Sequence, residues 1–214
     1  MTPYFESENG KLYLGNCLDV LPELEPELII TDPPYGMDYQ SSWRIDKAKR
    51  KDKIHGDDKF PLWIFNLKPS VAMFTFCRWD NLKEIPSPKS FIVWDKMMHS
   101  MGDLNHEYGR QWEGIAFYPG LAHAFVKRPA DIIRCPKVSA EKLLHPNEKP
   151  VGIYHPILKA HKGAVLDLFF SSGSLGVACE RMGRKWIGIE ISEKYCEIAA
   201  KRIQHETQQL KLFK

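Results

Sequence analysis

Residues 163–190 read GAVLDLFFSSGSLGVACERMGRKWIGIE, and this stretch decides the fold. An apolar strand is predicted at Val165–Phe169, and a helix with its apolar residues at helical spacing is predicted at Ser174–Met182. A second strand at Trp186–Ile189 leads directly to Glu190. Two strands joined by a helix form a βαβ unit, the building block of a parallel sheet.

The turn between the first strand and the helix is typical of a nucleoside site. Ser171, Ser172 and Gly173 are small enough to let a ligand approach the backbone, and the helix N-terminus offers free N–H groups. Glu190, about 20 residues further on, can accept hydrogen bonds from ribose hydroxyls. A complete G-x-G-x-x-G fingerprint would have glycine where Ser171 stands. An ordinary tight turn with a solvated Glu190 explains the same residues and stays open at this point.

The remainder of the chain continues the alternation of strands and helices. A last helix is predicted from Glu193 to about Gln208, with Ser192 as its N-cap. The other predicted strands are Leu28–Thr31, Val71–Phe76, Phe91–Trp94 and Ile115–Tyr118. This order predicts an α/β fold with a mostly parallel, twisted sheet and helices on both faces. The 214 residues, 43% of them hydrophobic, suit one domain over 1–214.

Composition excludes several other classes of protein. No apolar run approaches the roughly 20 residues that cross a bilayer, and the first residues lack the layout of a signal peptide. The five cysteines are scattered, and neither they nor the eight histidines show metal-ligand spacing. We therefore expect a cytoplasmic protein with reduced thiols, no membrane segment and no metal. The net charge of +3 neither requires nor excludes a polyanionic partner.

A second stretch, IITDPPYG at 29–36, places an acid and two prolines at the end of a buried strand. Ligands of parallel sheets bind at this end of the strands, where Asp32 falls. Pro33 and Pro34 donate no hydrogen bonds and hold the turn's carbonyls rigidly, and Tyr35 offers a flat face. Such an acceptor-rich corner suits the exocyclic amine of a nucleobase. The alternative is a proline-rich turn with a solvated acid and a core tyrosine.

Together these residues resemble the amino DNA methyltransferases that use S-adenosylmethionine, in their permuted beta group. T-D-P-P-Y-G at 31–36 is similar to the family's catalytic motif, and D-L-F-F-S-S-G-S at 167–174 to its cofactor motif, D-P-F-x-G-S-G-T. The cofactor motif follows the catalytic motif, as the permuted order requires. Four other stretches are also similar to parts of the family: F-I-V-W-D-K (91–96), Q-W-E-G-I-A-F (111–117), L-H-P-N-E-K-P (144–150) and L-G-N-C-L-D-V-L (14–21).

The resemblance implies a Rossmann-like methyltransferase fold and assigns the site residues. The catalytic residues it implies are Asp32, Pro33, Pro34 and Tyr35. The implied cofactor residues are Asn16, Cys17, Asp32, Lys149, Asp167, Phe169, Ser171, Gly173, Ser174 and Glu190. The chain departs from the family pattern at four positions, where Leu168 replaces a proline, Ser171 a glycine, Ser174 a threonine and Asn16 an acid. A side chain at position 171 would crowd the methionine end of the cofactor.

The reaction so implied needs DNA contacts beyond the pocket, because a base inside a duplex has to be flipped out. A basic insertion at about 37–59 is the candidate for phosphate contacts. Its predicted DNA-binding residues are Trp43, Arg44, Lys47, Lys49, Arg50, Lys51 and Lys53. A short target-recognition region is expected at about 120–143, and the resemblance also implies a possible homodimer. A solvated loop without a role is the other reading of the insertion.

The predicted activity is transfer of a methyl group to DNA, with N6 of adenine as the expected target. Asp32 suits the adenine pattern, because the cytosine-N4 members more often carry serine at that position. The alternatives are N4-cytosine methylation, an amino-methyltransferase acting on RNA or on a protein glutamine, and an NAD-dependent oxidoreductase sharing the βαβ unit. A nucleic-acid-binding protein with a decayed site is a further alternative, which Ser171 keeps open.

Overall fold

The computed structural model describes residues 1–21, 24–37, 56–67, 70–99, 105, 108–121, 125–139, 141–145 and 147–212. Within these ranges nine strands form one sheet. The strands are β1 Phe5–Glu6, β2 Gly10–Leu14, β3 Leu28–Thr31, β4 Ala72–Cys77, β5 Ser90–Asp95, β6 Trp112–Tyr118, β7 Ile132–Arg134, β8 Val165–Asp167 and β9 Trp186–Glu190. The α-helices are α1 Cys17–Val20, α2 Tyr154–Ala160, α3 Ser174–Arg181 and α4 Glu193–Leu212. Short 3₁₀ turns lie at Leu62–Asn66, Trp79–Lys83 and Val151–Ile153.

The sheet has the order β1-β2-β9-β8-β3-β4-β6-β5-β7. The strands from β2 to β4 in this order all run parallel, whereas β6 is antiparallel to both of its neighbours. Strand β7 is parallel to β5, and β1 closes the other edge as an antiparallel partner of β2. The predicted mostly parallel α/β sheet is therefore confirmed.

Both faces of the sheet are covered, as the strand sequences require. Leu28 and Ile30 of β3 belong to a core cluster that includes residues of α2, α3 and α4. Ile29, which points to the opposite face, belongs to a second cluster with residues of α1 and the turn at Leu62–Asn66. The continuous apolar run of β3 reflects this burial on both sides.

The strand registers align four carboxyl ends along one edge of the sheet. Leu14 of β2 lies opposite Glu190 of β9, and Asp167 of β8 lies opposite Gly188. Strand β3, next to β8, ends at Thr31 one residue before Asp32. Because β6 runs the other way, its first residues reach the same edge. The stretches at 29–36 and 163–190 therefore meet at the same edge of the sheet.

Strand β8 is shorter than predicted, because it ends at Asp167 and not at Phe169. The Leu168 N–H donates to Oγ1 of Thr31, and the Phe169 N–H donates to the Asp167 carboxylate. These side-chain acceptors replace the ladder partners and turn the chain out of the sheet. The elements β1, β2, β7, α1 and α2 were not predicted. β1, β7 and α1 are only two to four residues long, and Gly10 in β2 and Pro156 in α2 weaken the strand and helix patterns.

Helix α3 ends close to where the sequence predicts. Gly183 adopts a left-handed φ of 60°, and the Arg184 N–H donates to the Cys179 carbonyl at 2.9 Å. This arrangement caps the last turn of the helix. Across the ranges described above, no helix is both long and apolar enough to cross a bilayer. In the same ranges, no three His, Cys, Asp or Glu side chains converge as a metal site.

Candidate active site

The side chain of Asp32 lies at the centre of a hydrogen-bonded cluster at the carboxyl end of β3. The Tyr35 hydroxyl donates to its Oδ1 at 2.7 Å, and the Lys149 ammonium donates to its Oδ2 at 2.7 Å. Lys149 also lies 3.0 Å from the Tyr35 hydroxyl oxygen. The Lys149 side chain is only 4% exposed, whereas that of Asp32 is 20% exposed. The carboxylate is therefore the more exposed of the two charged groups.

Glu113, near the start of β6, adds a second carboxylate to this cluster. Its Oε2 lies 3.3 Å from the Lys149 ammonium and 3.4 Å from the Tyr35 hydroxyl. Its Oε1 pairs with Lys96 at 2.5 Å. Two acids and two lysines thus alternate in the order Asp32, Lys149, Glu113, Lys96. Their formal charges cancel, as buried ionic clusters require.

The pKa values of the cluster follow from burial and pairing. Burial raises the pKa of the Asp32 carboxyl, and the Lys149 ammonium opposes part of that rise. Burial also acts on Glu113, but Lys149 and Lys96 together outweigh it and lower the pKa of Glu113 to about 2. For Lys149, burial disfavours the charge, yet the two carboxylates outweigh burial and raise its pKa. Lys149 is therefore protonated at neutral pH.

The turn after Asp32 is held by two polar side chains. The Gly36 N–H donates to the buried Asp57 carboxylate at 2.9 Å, and the Asn81 amide donates to the Tyr35 carbonyl at 2.9 Å. Gly36 has a φ of 75°, and a Cβ there would come within 2.9 Å of the Phe60 nitrogen. A side chain at position 36 would force the turn open.

Glu190 stabilises the turn between β8 and α3 by accepting hydrogen bonds from backbone N–H groups. Its carboxylate accepts the Ser171 N–H at 2.7 Å and the Ser192 N–H at 2.9 Å. Ser171 adopts a left-handed φ of 51°, and the next glycine, Gly173, has a φ of 78°. Within the described part of the chain the buried Ser171 hydroxyl has no hydrogen-bond partner. The turn thus keeps the left-handed backbone that glycine would supply, with a serine in its place.

Asp167 links the two halves of the site. Its Oδ1 accepts the Thr31 hydroxyl at 3.1 Å and the Phe169 N–H at 3.1 Å. Burial raises the pKa of this carboxyl to about 7. Asp167 therefore exchanges its proton near neutral pH, between the predicted catalytic and cofactor residues.

A buried ion pair fastens the stretch at 144–150 to the same edge. Glu148 pairs with Arg202 of α4 at 2.8 Å and accepts the Leu144 N–H at 2.8 Å. Arg202 also donates to the Ser172 carbonyl and the Ser174 hydroxyl, each at 3.1 Å. The position of Lys149, one residue after Glu148, thus depends on α4 and on the turn of the βαβ unit.

An open cleft of about 750 Å³ lies beside Asp32, with Tyr35, Glu113 and Lys149 in its wall. Several aromatic side chains line it: Trp79, Trp94, Tyr108 and Trp112. Basic side chains line it as well: Arg78, Lys96, Arg110 and Lys137. Trp79 is 53% exposed and Trp112 is 41% exposed. Flat faces and positive charges next to a carboxylate suit a stacked, polyanionic ligand.

The structure brings most of the predicted site residues to one edge of the sheet. Asp32 and Tyr35 make the contacts given above, while Pro33 is buried and Pro34 half-buried beside them. Of the cofactor candidates, Asp167 ends β8 and Glu190 ends β9. The turn after β8 and the start of α3 contain Phe169, Ser171, Gly173 and Ser174. Asn16 caps α1 by accepting the Leu18 N–H, and Cys17 is buried next to it. The roles of these residues remain predictions.

Two further groups of predicted site residues stay predictions. Lys149 was placed with the cofactor residues, and the structure shows its ammonium on Asp32 and Glu113. The residues predicted to bind DNA in the insertion all lie outside the described residues. They are Trp43, Arg44, Lys47, Lys49, Arg50, Lys51 and Lys53.

Sequence reasoning missed Glu113, Lys96 and Asp57. The first two lie in stretches that were taken as family-like strands, but nothing in them shows that β6 runs antiparallel. Asp57 was counted only as an acid within the basic insertion, although its carboxylate folds back onto the catalytic turn. An antiparallel pairing of β4 with β6, if predicted, would have placed Glu113 at the same edge of the sheet as Asp32.

The sheet order and the polar residues at its carboxyl edge are typical of a Rossmann-like methyltransferase. A family model described as DNA methylase, of the N6/N4 type, matches residues 104–201. The Type II methyltransferase M.HpaI of Haemophilus parainfluenzae is 37% identical over 235 residues, covering 92% of this chain and 74% of that protein. The chain therefore belongs to the N6/N4 DNA methylase family, and the predicted family is confirmed.

Solved structures show the same fold. The M1.HpyAVI–SAM complex superposes with a TM-score of 0.67 at 24% identity, covering 90% of this chain and 99% of that chain. PvuII DNA methyltransferase, described as cytosine-N4-specific, superposes with a TM-score of 0.65 at 13% identity, covering 97% and 94%. The predicted Rossmann-like methyltransferase fold is thus confirmed.

The left-handed backbone of Ser171 leads to a stability prediction. Ser171→Gly is expected to raise the free energy of unfolding by about 1 kcal/mol, because glycine adopts this φ without strain. Ser171→Ala is the matched control, since it removes the buried hydroxyl and keeps the strain. Urea unfolding of the three proteins measures both contributions. A glycine variant less stable than the parent protein would contradict the strain.

The raised pKa of Asp167 leads to a pH prediction. An unfolded aspartate ionises near pH 4 and the folded Asp167 at about 7, so the parent's stability falls as pH rises between these values. Asp167→Asn keeps a carbonyl acceptor for Thr31 and cannot ionise. It is expected to be on the order of 1–3 kcal/mol more stable than the parent at about pH 8, and similar at about pH 4. Melting curves against pH, with the exposed Asp58→Asn as control, test this. A difference that does not grow with pH counts against it.

Proposed function

We propose that this methyltransferase transfers a methyl group from S-adenosylmethionine to N6 of a flipped adenine in DNA. The chain is a DNA methyltransferase of the N6-adenine/N4-cytosine family, and S-adenosylmethionine is its cofactor, as predicted. The observation that carries the proposal is the Asp32 carboxylate at the carboxyl end of β3, which is held by Lys149 and Tyr35, two residues in the wall of the cleft.

The carboxyl ends of β2, β9, β8 and β3 fit the cofactor. Glu190 and Asn16 lie at adjacent strand ends, where they can hold the adenosine part through its ribose and adenine. The turn at Ser171–Gly173 has no long side chain above the backbone, and it leads toward Asp32 through Asp167 and Thr31. When bound, S-adenosylmethionine supplies a methyl group that its sulfonium makes electrophilic.

Asp32 has the acceptor capacity that the reaction needs. An ionised carboxylate offers about four lone-pair sites, and Tyr35 and Lys149 occupy two of them. The others can accept an N–H of the target amine, with the Pro33 carbonyl as second acceptor, and hold the nitrogen in line for attack. The methylated nitrogen carries an excess proton, which passes to the Asp32 carboxylate and then to water. Burial raises the pKa of Asp32 and so strengthens it as a proton acceptor.

The preference for adenine over cytosine is supported by the acid at position 32. The cytosine-N4 members of the family more often carry serine at that position. The cytosine-N4-specific PvuII enzyme shares the fold only, at 13% identity. N4 of cytosine is an exocyclic amine that the same acceptors can hold, so it remains the alternative target.

The cleft beside Asp32 supports a polynucleotide substrate. Its exposed Trp79 and Trp112 offer stacking faces, and Arg110 and Lys137 add positive charge on the same walls. Tyr35, in the wall nearest Asp32, is our candidate for stacking on the flipped base. The basic insertion, the recognition region at about 120–143 and a homodimer remain predictions that extend this surface.

Nucleoside mass spectrometry tests the proposal. DNA from a strain without its own adenine or cytosine methylation is incubated with the protein and S-adenosylmethionine, then digested. N6-methyldeoxyadenosine is expected. N4-methyldeoxycytidine would replace the target base and keep the reaction class. Methylation confined to parallel RNA or protein samples would overturn the DNA substrate, and none in any sample would indicate a decayed site.

A further inference from the structure

We propose that Lys149 is a positioning residue for Asp32, and that Glu113, backed by Lys96, holds Lys149 in place. This inference rests on the proposed function, because it assigns a role within the same reaction. It departs from the role that the family resemblance implied for Lys149, which was contact with the cofactor.

The surroundings of Lys149 fix its ammonium in one place. Its side chain is 4% exposed, and its Nζ lies 2.7 Å from Asp32 Oδ2 and 3.3 Å from Glu113 Oε2. The same nitrogen lies 5.2 Å from the centre of the Tyr35 ring and 5.1 Å from that of Phe76. A buried ammonium between two carboxylates and two rings has little freedom to move. Its bond to Oδ2 therefore sets the rotation of the Asp32 carboxylate.

Glu113 supplies what Asp32 alone cannot. If Asp32 were the only counter-charge of Lys149, the ion pair would be strongest with both carboxylate oxygens of Asp32 bound to the ammonium. Glu113 shares the ammonium, and Lys96 at 2.5 Å balances Glu113 in turn. The second acid thus anchors Lys149, so that Lys149 and Tyr35 together occupy only two of the acceptor sites of Asp32.

Two effects on the charge of Asp32 follow, and they have opposite signs. The positive charge of Lys149 favours the ionised carboxylate, whereas the negative charge of Glu113 disfavours it. Other titratable groups also lie near Asp32. They are Tyr35 on its own turn, Cys77 at the end of β4, Lys96 after β5, Tyr154 at the start of α2 and Asp167 at the end of β8. None of these changes in the variants below.

The test is the acidic limb of the pH profile of kcat for DNA methylation. In Lys149→Met the limb is expected to move to higher pH by about one unit or more, because the ionised Asp32 loses its counter-charge. In Glu113→Gln the limb should move to lower pH, because the amide has a similar shape, keeps one acceptor oxygen and removes the negative charge. Lys149→Arg restores the charge and should return the limb toward its parental position. At about pH 8.5, where Asp32 is ionised, Lys149→Met should remain roughly tenfold slower than the parent.

If Lys149 has only a structural role, Lys149→Met lowers the amount of folded protein, and the acidic limb stays at its parental pH in Lys149→Met and in Glu113→Gln. This result would overturn the proposal. A cofactor role would raise the Kd for S-adenosylmethionine in Lys149→Met with an unchanged limb, and this result would also overturn it. If Lys149→Met does not fold, the shift in Glu113→Gln decides. If the parent protein methylates no DNA, the proposed function fails separately. The Asp32 titration, followed by carboxyl ¹³C NMR against Asp32→Asn, then tests the effect of Lys149 and Glu113 alone.

Discussion

Asp32→Ala is expected to slow methyl transfer by about 10³-fold or more, because it removes the carboxylate that orients the amine and accepts its proton. DNA affinity should change little, since the basic and aromatic walls of the cleft remain. Lys149 keeps Glu113 as a partner at 3.3 Å, so the fold should survive. Single-turnover kinetics measure the chemical step, and the equilibrium binding of a duplex measures the affinity.

Glu84→Ala, at an exposed acid away from the cleft, is the matched control and should behave as the parent protein. A duplex with 2-aminopurine at the target adenine separates chemistry from flipping. Its fluorescence rise should persist in Asp32→Ala and weaken in Tyr35→Ala, which loses a stacking face worth on the order of 1–3 kcal/mol. Near-parental turnover in Asp32→Ala would place the catalytic corner elsewhere.

Glu190→Ala is expected to weaken S-adenosylmethionine binding by roughly 5- to 150-fold, or about 1–3 kcal/mol. The substitution removes the acceptor proposed for the ribose hydroxyls. It also leaves the Ser171 and Ser192 N–H groups without the carboxylate that now accepts them at 2.7 and 2.9 Å. The turn that carries the left-handed Ser171 should therefore loosen, and isothermal titration calorimetry measures the loss of affinity.

Glu193→Ala serves as the control, because it removes an exposed glutamate three residues away at the start of α4. Its cofactor affinity should match that of the parent. Glu190→Gln should lie between the two, since the amide keeps one acceptor and loses the charge. An unchanged affinity in Glu190→Ala would mean that the βαβ unit does not hold the adenosine.

The βαβ unit and strand β3 were predictable because their signals are local. Leu28, Ile29 and Ile30 form an apolar run. In the βαβ unit, a small-residue turn and an acid occur at nucleoside-site spacing around Ser171 and Glu190. The end of β8 was not predictable. It depends on the Thr31 hydroxyl accepting a backbone N–H from a segment 137 residues away.

Only part of the charge cluster was predictable, because its members come from distant parts of the sequence. Asp32 stands out beside two prolines, and Lys149 lies in a family-like stretch, but their contact spans 117 residues of sequence. Glu113 reaches the cluster because β6 is antiparallel to β4, and apolar runs do not reveal strand direction. Pairings between distant segments therefore account for what the sequence did not show.

The most direct test of the central claim follows a labelled methyl group. The parent protein and Asp32→Ala are incubated side by side with S-adenosylmethionine carrying a deuterated methyl and with unmethylated DNA, and the nucleosides are analysed by mass spectrometry. We expect the label on N6 of deoxyadenosine with the parent, and about 10³-fold less of it with Asp32→Ala. Label on another nucleoside would contradict the adenine target. Equal labelling by the two proteins would contradict the proposed chemistry at Asp32.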